Sequence, residues 1–256
     1  MPIAENDRVF HVGDPSRREF LQNATAAGLA LAVAGAPAFA AAKKPDYTLR
    51  IAPTSLEIAP GKIIQTIGYN GTVPGPLIRL REGRSTTIRV INDSTVPDLV
   101  HWHGLKIPSL VDGAMEEGTP MIPPGQSASY IFTPRPAGTR WYHTHATAKD
   151  DLRLSLYGGQ YGFLYVEPAH DPGRYDQEIF IAMHQWEPSF VSMQDLHHGP
   201  PPDNGLEVAY KSASFNSKAL GHGEPVRVRR GQDKARERQS AALGISKSDL
   251  ARSATP

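Results

Sequence analysis

From Tyr47 onward, apolar residues recur at every second position in short runs, and each run ends at glycine, proline or a polar turn pair. A period of two predicts half-buried β-strands. YTLRI, LEIAPG and KIIQTIGYNG come first, with Asn70-Gly71 supplying the positive φ angles of a tight turn. PLIRL and STTIRVIND follow, and in the second Ile88 and Val90 alternate with Thr87 and Arg89. SASYIFTP, GTRWYHTH and YGFLYVEP continue the pattern, and the last closes at Pro168. Short strands at this spacing predict an all-β sandwich or barrel over residues 46–168.

A second set of strands starts near Tyr175 with EIFIAMHQW, passes a proline-rich loop at His197–Gly205, and reaches the strand-like EPVRVRRGQ. Residues 175–232 therefore read as part of a second domain. After Gln232 the alternation stops, aromatics vanish and charged residues mix with small ones. Residues 233–256 are expected to be helical or disordered, and unable to supply missing sandwich strands.

The N-terminus has a different character. Arg17-Arg18 precede an alanine-rich apolar run that ends in AFAAA, with cleavage expected after Ala40 or Ala42. A basic segment, a short apolar segment and small residues define an export signal, and the arginine pair predicts the twin-arginine route for residues 1–42. A permanent membrane helix is the poorer reading, because Gly28, Gly35 and Pro37 interrupt the run. The expected location is the bacterial periplasm, with no membrane attachment after signal removal.

Composition adds two exclusions. The net charge of +1, from 27 basic and 26 acidic residues, provides no field to attract nucleic acid. The absence of cysteine excludes disulfides, thiolate nucleophiles and any metal site built on cysteine sulfur. The 23 glycines and 23 prolines suit short strands joined by tight turns.

Two H-x-H motifs stand out: His101 and His103 in HWHG, and His143 and His145 in WYHTH. On a strand, residues i and i+2 share a face, about 7 Å apart. Each pair therefore looks one way, and facing strands would bring four imidazoles to one volume. One H-x-H is most often an ordinary surface or core pair. Two copies, both in aromatic strand sequence, favour a metal site. Imidazole suits copper, zinc, iron and nickel, although the usual zinc patterns H-E-x-x-H and clustered cysteine are missing.

The ordered series YNGTVPGPLIRLREG, HWHGL, VDG, MIPPGQ, YIFTPRPAGTRWYHTH and GGQYGFLYVEP resembles the first cupredoxin domain of the multicopper oxidases, the laccase-like three-domain type. FNSKALGHGEPVRVRRGQ is similar to a stretch of the second domain. The resemblance implies a Greek-key cupredoxin β-sandwich, with an incomplete second cupredoxin-like domain. It implies that His101 binds a type 2 copper, and that His103, His143 and His145 bind type 3 coppers. Asp112, in VDG, matches an acidic position that helps deliver protons to oxygen; an ordinary turn aspartate before Gly113 is the plainer reading. His184, His197, His198 and His222 match no ligand motif, and Trp102 and Trp141 are expected to pack the domain core.

The family implies an oxidoreductase that couples one-electron oxidation of a small-molecule or metal-ion reductant to reduction of oxygen to water. Its trinuclear copper cluster takes eight histidines from two domains, and its type 1 copper needs a cysteine. This chain carries half the cluster ligands and no type 1 site, and the resemblance stops at Asp233. A truncation or frame change after Gln232 is the expected cause, with little or no oxidase activity in the isolated chain. The alternatives are a non-catalytic periplasmic copper-binding module and a metal-free structural domain.

Overall fold

The structure is a computed structural model, which describes residues 7–10, 44–148, 151–170, 173, 176–192, 206–227 and 235–241. Nine strands build the larger part, β1 (Asp7–Phe10), β2 (Tyr47–Ala59), β3 (Lys62–Tyr69), β4 (Gly75–Arg81), β5 (Thr86–Asn92), β6 (Val100–His103), β7 (Ser127–Phe132), β8 (Gly138–Thr144) and β9 (Tyr161–Glu167), and β10 (Gln177–Trp186) comes next. The strands β11 (Ser189–Ser192), β12 (Leu206–Ala209), β13 (Ser212–Phe215), β14 (Lys218–Ala219) and β15 (Ala235–Ala241) follow.

One sheet has the order β1-β7-β5-β2-β3 and the other β4-β9-β8-β6. The two sheets face each other over a core that takes Leu49, Ile88, Val90 and Tyr130 from the first, and Ile78, Trp102, Tyr142 and Leu164 from the second. β5 shows why the alternation was readable: Ile88 and Val90 are fully buried while Thr87 and Arg89 lie at intermediate exposure. Trp102 is wholly buried, with Tyr130 and Phe132 ring centres 5.5 and 5.3 Å away. That accounts for its place in the core, as the sequence suggested.

The expected YTLRI and LEIAPG strands are one continuous strand, β2. Its first residues pair in parallel with β5 only as far as Ile51, and beyond that point β3 is its partner. Pro53 falls in this second stretch, at a sheet edge where a missing N–H is tolerated.

β9 is buried along nearly its whole length. Leu164 belongs to the core between the sheets, whereas Tyr161 and Phe163 pack outward against Ala182 and Trp186 of β10, together with Ile58 and Val73. A strand covered on both faces reads as a continuous apolar run, which is the YGFLYV pattern. β10 lies in a further sheet of order β14-β13-β10-β15, and β11 pairs with β12. Lys62 pairs with Glu187 at 2.8 Å, and Arg79 bridges Glu167 at 3.1 Å and also Glu178, so ion pairs flank the apolar contact.

Three expectations need correction or limits. Residues 235–241, expected to be helical or disordered, form β15, which pairs in parallel with β10 from Gln177 to Met183. An unpaired strand edge is a template for any extended segment that reaches it, and β10 offers one on this side. Glu224–Arg227, expected to be strand-like, carries no strand, and the rest of that stretch lies outside the described residues. Most of the expected signal, including Arg17-Arg18 and the cleavage positions, also lies outside them; within residues 1–42, Asp7–Phe10 is a strand paired in parallel with β7.

Candidate metal centre

β6 and β8 run antiparallel in a register that sets His101 opposite His143, Trp102 opposite Tyr142, and His103 opposite Trp141. Strand pleating then sorts these side chains by face. Trp102 and Tyr142 enter the core, and the histidines emerge on the other face with Trp141. β8 ends at Thr144, and His145 follows directly.

The four imidazoles gather as the spacing predicts. Ring centres of His103, His143 and His145 lie 5.4, 5.2 and 5.3 Å from that of His101. His103 and His143 are 5.4 Å apart and His143 and His145 6.2 Å. Among the described residues, His101, His103 and His143 offer ligand nitrogens all within 4.8 Å of one another. His143 is buried, His101 and His145 are partly exposed, and His103 is exposed.

Each ring orientation has an identifiable cause. His101 Nδ1 lies 2.9 Å from the Asp112 carbonyl oxygen and 3.2 Å from its Oδ2. A carbonyl only accepts, so Nδ1 carries the proton and Nε2 keeps its lone pair. His143 is fixed the same way, with Nδ1–H donating to the Thr144 carbonyl at 2.6 Å. Its free Nε2 faces His103 Nδ1 at 3.2 Å. His145 Nδ1 lies 3.2 Å from Glu116 Oε2.

Electrostatics favour neutral ligands. Burial pushes the His143 imidazolium down to about 3, and the neighbouring histidines add to that. Burial also lowers His103, with His101 contributing. Burial raises the Asp112 carboxyl, opposed by His101. His101 and His143, each with its Nδ1–H directed to a carbonyl, leave Nε2 as the kind of donor a copper ion takes, so these residues fit that metal.

Asp112 sits at the end of the single helical turn Ser109–Asp112 and is followed by Gly113 at φ 85°. The Gly113 N–H donates to Thr119 Oγ1 at 3.0 Å, and that hydroxyl donates to the Ser109 carbonyl at 2.7 Å, which ties the turn down. A Cβ on Gly113 would fall 1.7 Å from the Val100 carbonyl oxygen. Only glycine lets this turn approach β6 closely enough to reach His101.

Trp141 packs at the edge of the outer apolar cluster, in line with expectation, and also borders the histidines. It lies half-buried on the histidine face, stacked on His143 at 4.0 Å and 23°, with His103 4.9 Å away. Its part in the wall of the centre follows from its register opposite His103. His184 is buried between Tyr161 and Trp186, and His222 is exposed. His197 and His198 lie outside the described residues.

Sequence reasoning missed Asp98, Glu116 and Gln160. Asp98 is buried behind β8, where it accepts hydrogen bonds from Thr144 and Gln160. A cavity of about 450 Å³ opens beside it, lined by Asp98, Gln160, Met115 and Met121, and none of the four histidines reaches its wall. The histidines occupy an open face instead.

The fold and the imidazole cluster define a cupredoxin-type domain whose face suits a transition metal. A family description of multicopper oxidases matches residues 51–171. Copper resistance protein A of Pseudomonas syringae pv. tomato is 31% identical over 182 residues, 67% of this chain and 29% of the relative. Multicopper oxidase MmcO of Mycobacterium tuberculosis is 33% identical over 203 residues, 72% of this chain and 39% of the relative. Among solved structures, the blue copper oxidase from Nitrosomonas europaea aligns with a TM-score of 0.62 at 28% identity, over 77% of this chain and 60% of that one. The multicopper oxidase mgLAC gives 0.64 at 26% identity, over 78% and 61%. Residues 51–171 are a multicopper oxidase domain by this match, and that family implies copper. The chain spans well under half the length of these two curated relatives.

Proposed function

We propose that the chain is an exported, laccase-like multicopper oxidase component that supplies half of a copper cluster, with His101 as ligand to a type 2 copper and His103, His143 and His145 as ligands to type 3 coppers. The single observation that carries this is the gathering of four imidazoles on one sheet face, with ring orientations fixed by outer hydrogen bonds. Copper held there supplies one-electron chemistry for the reduction of oxygen to water, at the expense of a small-molecule or metal-ion reductant.

The protein's own groups have separable tasks. His101 and His143 present Nε2 because their Nδ1 protons are engaged. Asp112 Oδ2, 3.2 Å from His101 Nδ1, is placed to hold a proton beside the centre and pass it inward. Trp141 covers one side of His143 and excludes water from it. The reading extends to twin-arginine export of residues 1–42 into the periplasm, and to cupredoxin domains at 46–168 and, in part, 175–232.

A second reading has its own support. With no cysteine in 256 residues, this chain offers no thiolate for an electron-entry copper, so it can bind copper without turning over. Copper content after dialysis, measured with oxygen uptake on a phenolic donor, tests both readings. Bound copper without oxygen uptake favours a binding module or an incomplete oxidase; turnover at the rate of an intact laccase establishes a working enzyme. No retained copper defeats both.

A further inference from the structure

Directly behind the histidine face lies an acid that touches none of the four rings. Asp98 is 1% exposed, and its backbone is locked to Ile122 by hydrogen bonds of 3.1 and 2.7 Å in the two directions. Its Oδ1 accepts from the Leu99 N–H at 2.8 Å and from Thr144 Oγ1 at 2.6 Å, and its Oδ2 accepts from Gln160 Nε2 at 2.6 Å. A buried carboxylate costs several kcal/mol of desolvation unless such donors compensate it. Burial raises the Asp98 carboxyl, and the hydrogen bonds from Thr144, Gln160 and Leu99 oppose that rise.

Thr144 is the middle residue of His143-Thr144-His145, so its side chain leaves β8 on the face opposite the imidazoles. The same hydroxyl accepts the Ala146 N–H at 3.0 Å, and the Thr144 N–H donates to the Gln160 carbonyl at 3.2 Å. The peptide that follows Thr144 supplies the carbonyl to which His143 Nδ1 donates. A continuous chain of contacts therefore runs from Asp98 to Thr144 to the His143 ring, and Gln160 grips both Asp98 and Thr144.

We propose that Asp98, acting through the Thr144 hydroxyl with Gln160 as brace, is a positioning residue that sets the ring orientation of His143 and the departure of His145 from β8. This rests on the copper reading only for its functional consequence; the orienting contact exists in the metal-free chain. Ligand orientation by such outer contacts is typically worth ten- to a hundredfold in metal affinity.

The test uses the full chain and the variants Thr144→Val, Thr144→Ser and Gln160→Met. Copper affinity is read by competition with a chelator, and the bound Cu(II) signal by electron paramagnetic resonance. In metal-free protein, the His143 Nδ1 proton is followed by nitrogen-15 NMR. Thr144→Val keeps shape but removes the donor; it should weaken copper binding at least about tenfold, change the Cu(II) hyperfine pattern and release the His143 proton to exchange. Thr144→Ser restores the hydroxyl and should restore all three readouts. If Thr144→Val does not fold, Gln160→Met loosens the same carboxylate and should shift the readouts in the same direction. A wild-type Cu(II) spectrum and an unchanged His143 proton in either disrupting variant, whatever its melting temperature, would overturn the proposal. Absence of copper binding in the wild type defeats the copper reading alone, since the NMR comparison still decides the positioning role.

Discussion

Replacing Gly113 by alanine perturbs the approach of the Asp112 turn to β6 and nothing else by design. Two costs are involved, and they can be separated. Gly113 has φ 85°, and an L-residue with a side chain pays roughly 1–2 kcal/mol to adopt that region. The added Cβ would also lie 1.7 Å from the Val100 carbonyl oxygen, 2.4 Å from its carbon and 2.6 Å from His101 Cα. All three are backbone atoms, so no rotamer change relieves the overlap, and the turn must retreat by more than about 1 Å. That retreat separates the Asp112 carbonyl from His101 Nδ1. Gly71 provides the control: its φ is 74°, but a Cβ there meets nothing within 4 Å. Gly71→Ala should therefore cost about 1 kcal/mol, or a few degrees of melting temperature, and leave copper binding intact. Gly113→Ala should cost about 3 kcal/mol or more and weaken copper binding at least about tenfold. Thermal melts with chelator competition on both variants measure this directly. Equal destabilisation and equal copper affinity in the two would refute the close-approach argument.

Other outcomes follow from the same contacts. Combined His101→Ala and His143→Ala replacement should abolish stoichiometric copper retention after dialysis, read by elemental analysis; full retention would move the site elsewhere. Burial holds the His184 imidazolium near 4, against an ordinary 6.5, so the unfolded chain takes up its proton first. Its stabilising contribution is complete above about pH 6.5 and is lost as pH falls toward 4, reaching roughly 3 kcal/mol. Urea melts at pH 7 and pH 5 should show this loss, and His184→Phe should make it shallower by about 2 kcal/mol; an unchanged slope would discount His184. Tyr142→Phe removes the hydrogen bond that Tyr142 Oη donates to the Pro76 carbonyl at 2.7 Å, and should cost about 1 kcal/mol in a denaturant titration without altering copper stoichiometry.

Much of the centre was legible because a strand converts two-residue spacing directly into a shared face. His101, His103, His143 and His145 needed nothing more than pleating and one antiparallel register to meet. Period-two patterning likewise disclosed β5, where Ile88 and Val90 point inward. Contacts made through the third dimension were not visible. Asp98 in VPDLV looks like a loop acid, and its burial depends on Thr144 and Gln160, 46 and 62 residues later. Trp141 packs against the outer apolar cluster as read, but its stacking on His143 could not be seen without the cross-strand register. β13 (Ser212–Phe215) alternates in the opposite sense to a core strand, with Ser214 buried and Ala213 and Phe215 exposed, and its pairing with β10 rests on backbone bonds and on Ser214 Oγ accepting from Trp186 Nε1 at 2.7 Å. β15 escaped for the reason that defeats any local pattern: an open edge accepts chain by geometry rather than by composition.

The two-sided burial of β9 bears on how the protein can be cut. Tyr161 and Phe163 are shielded from water by Ala182 and Trp186, residues that come after Pro168. A proteolytic product ending near Pro168 would keep its inner layer yet turn a stripe of aromatic rings outward. Such a product should clump or bind detergent micelles, whereas the longer chain should stay dispersed.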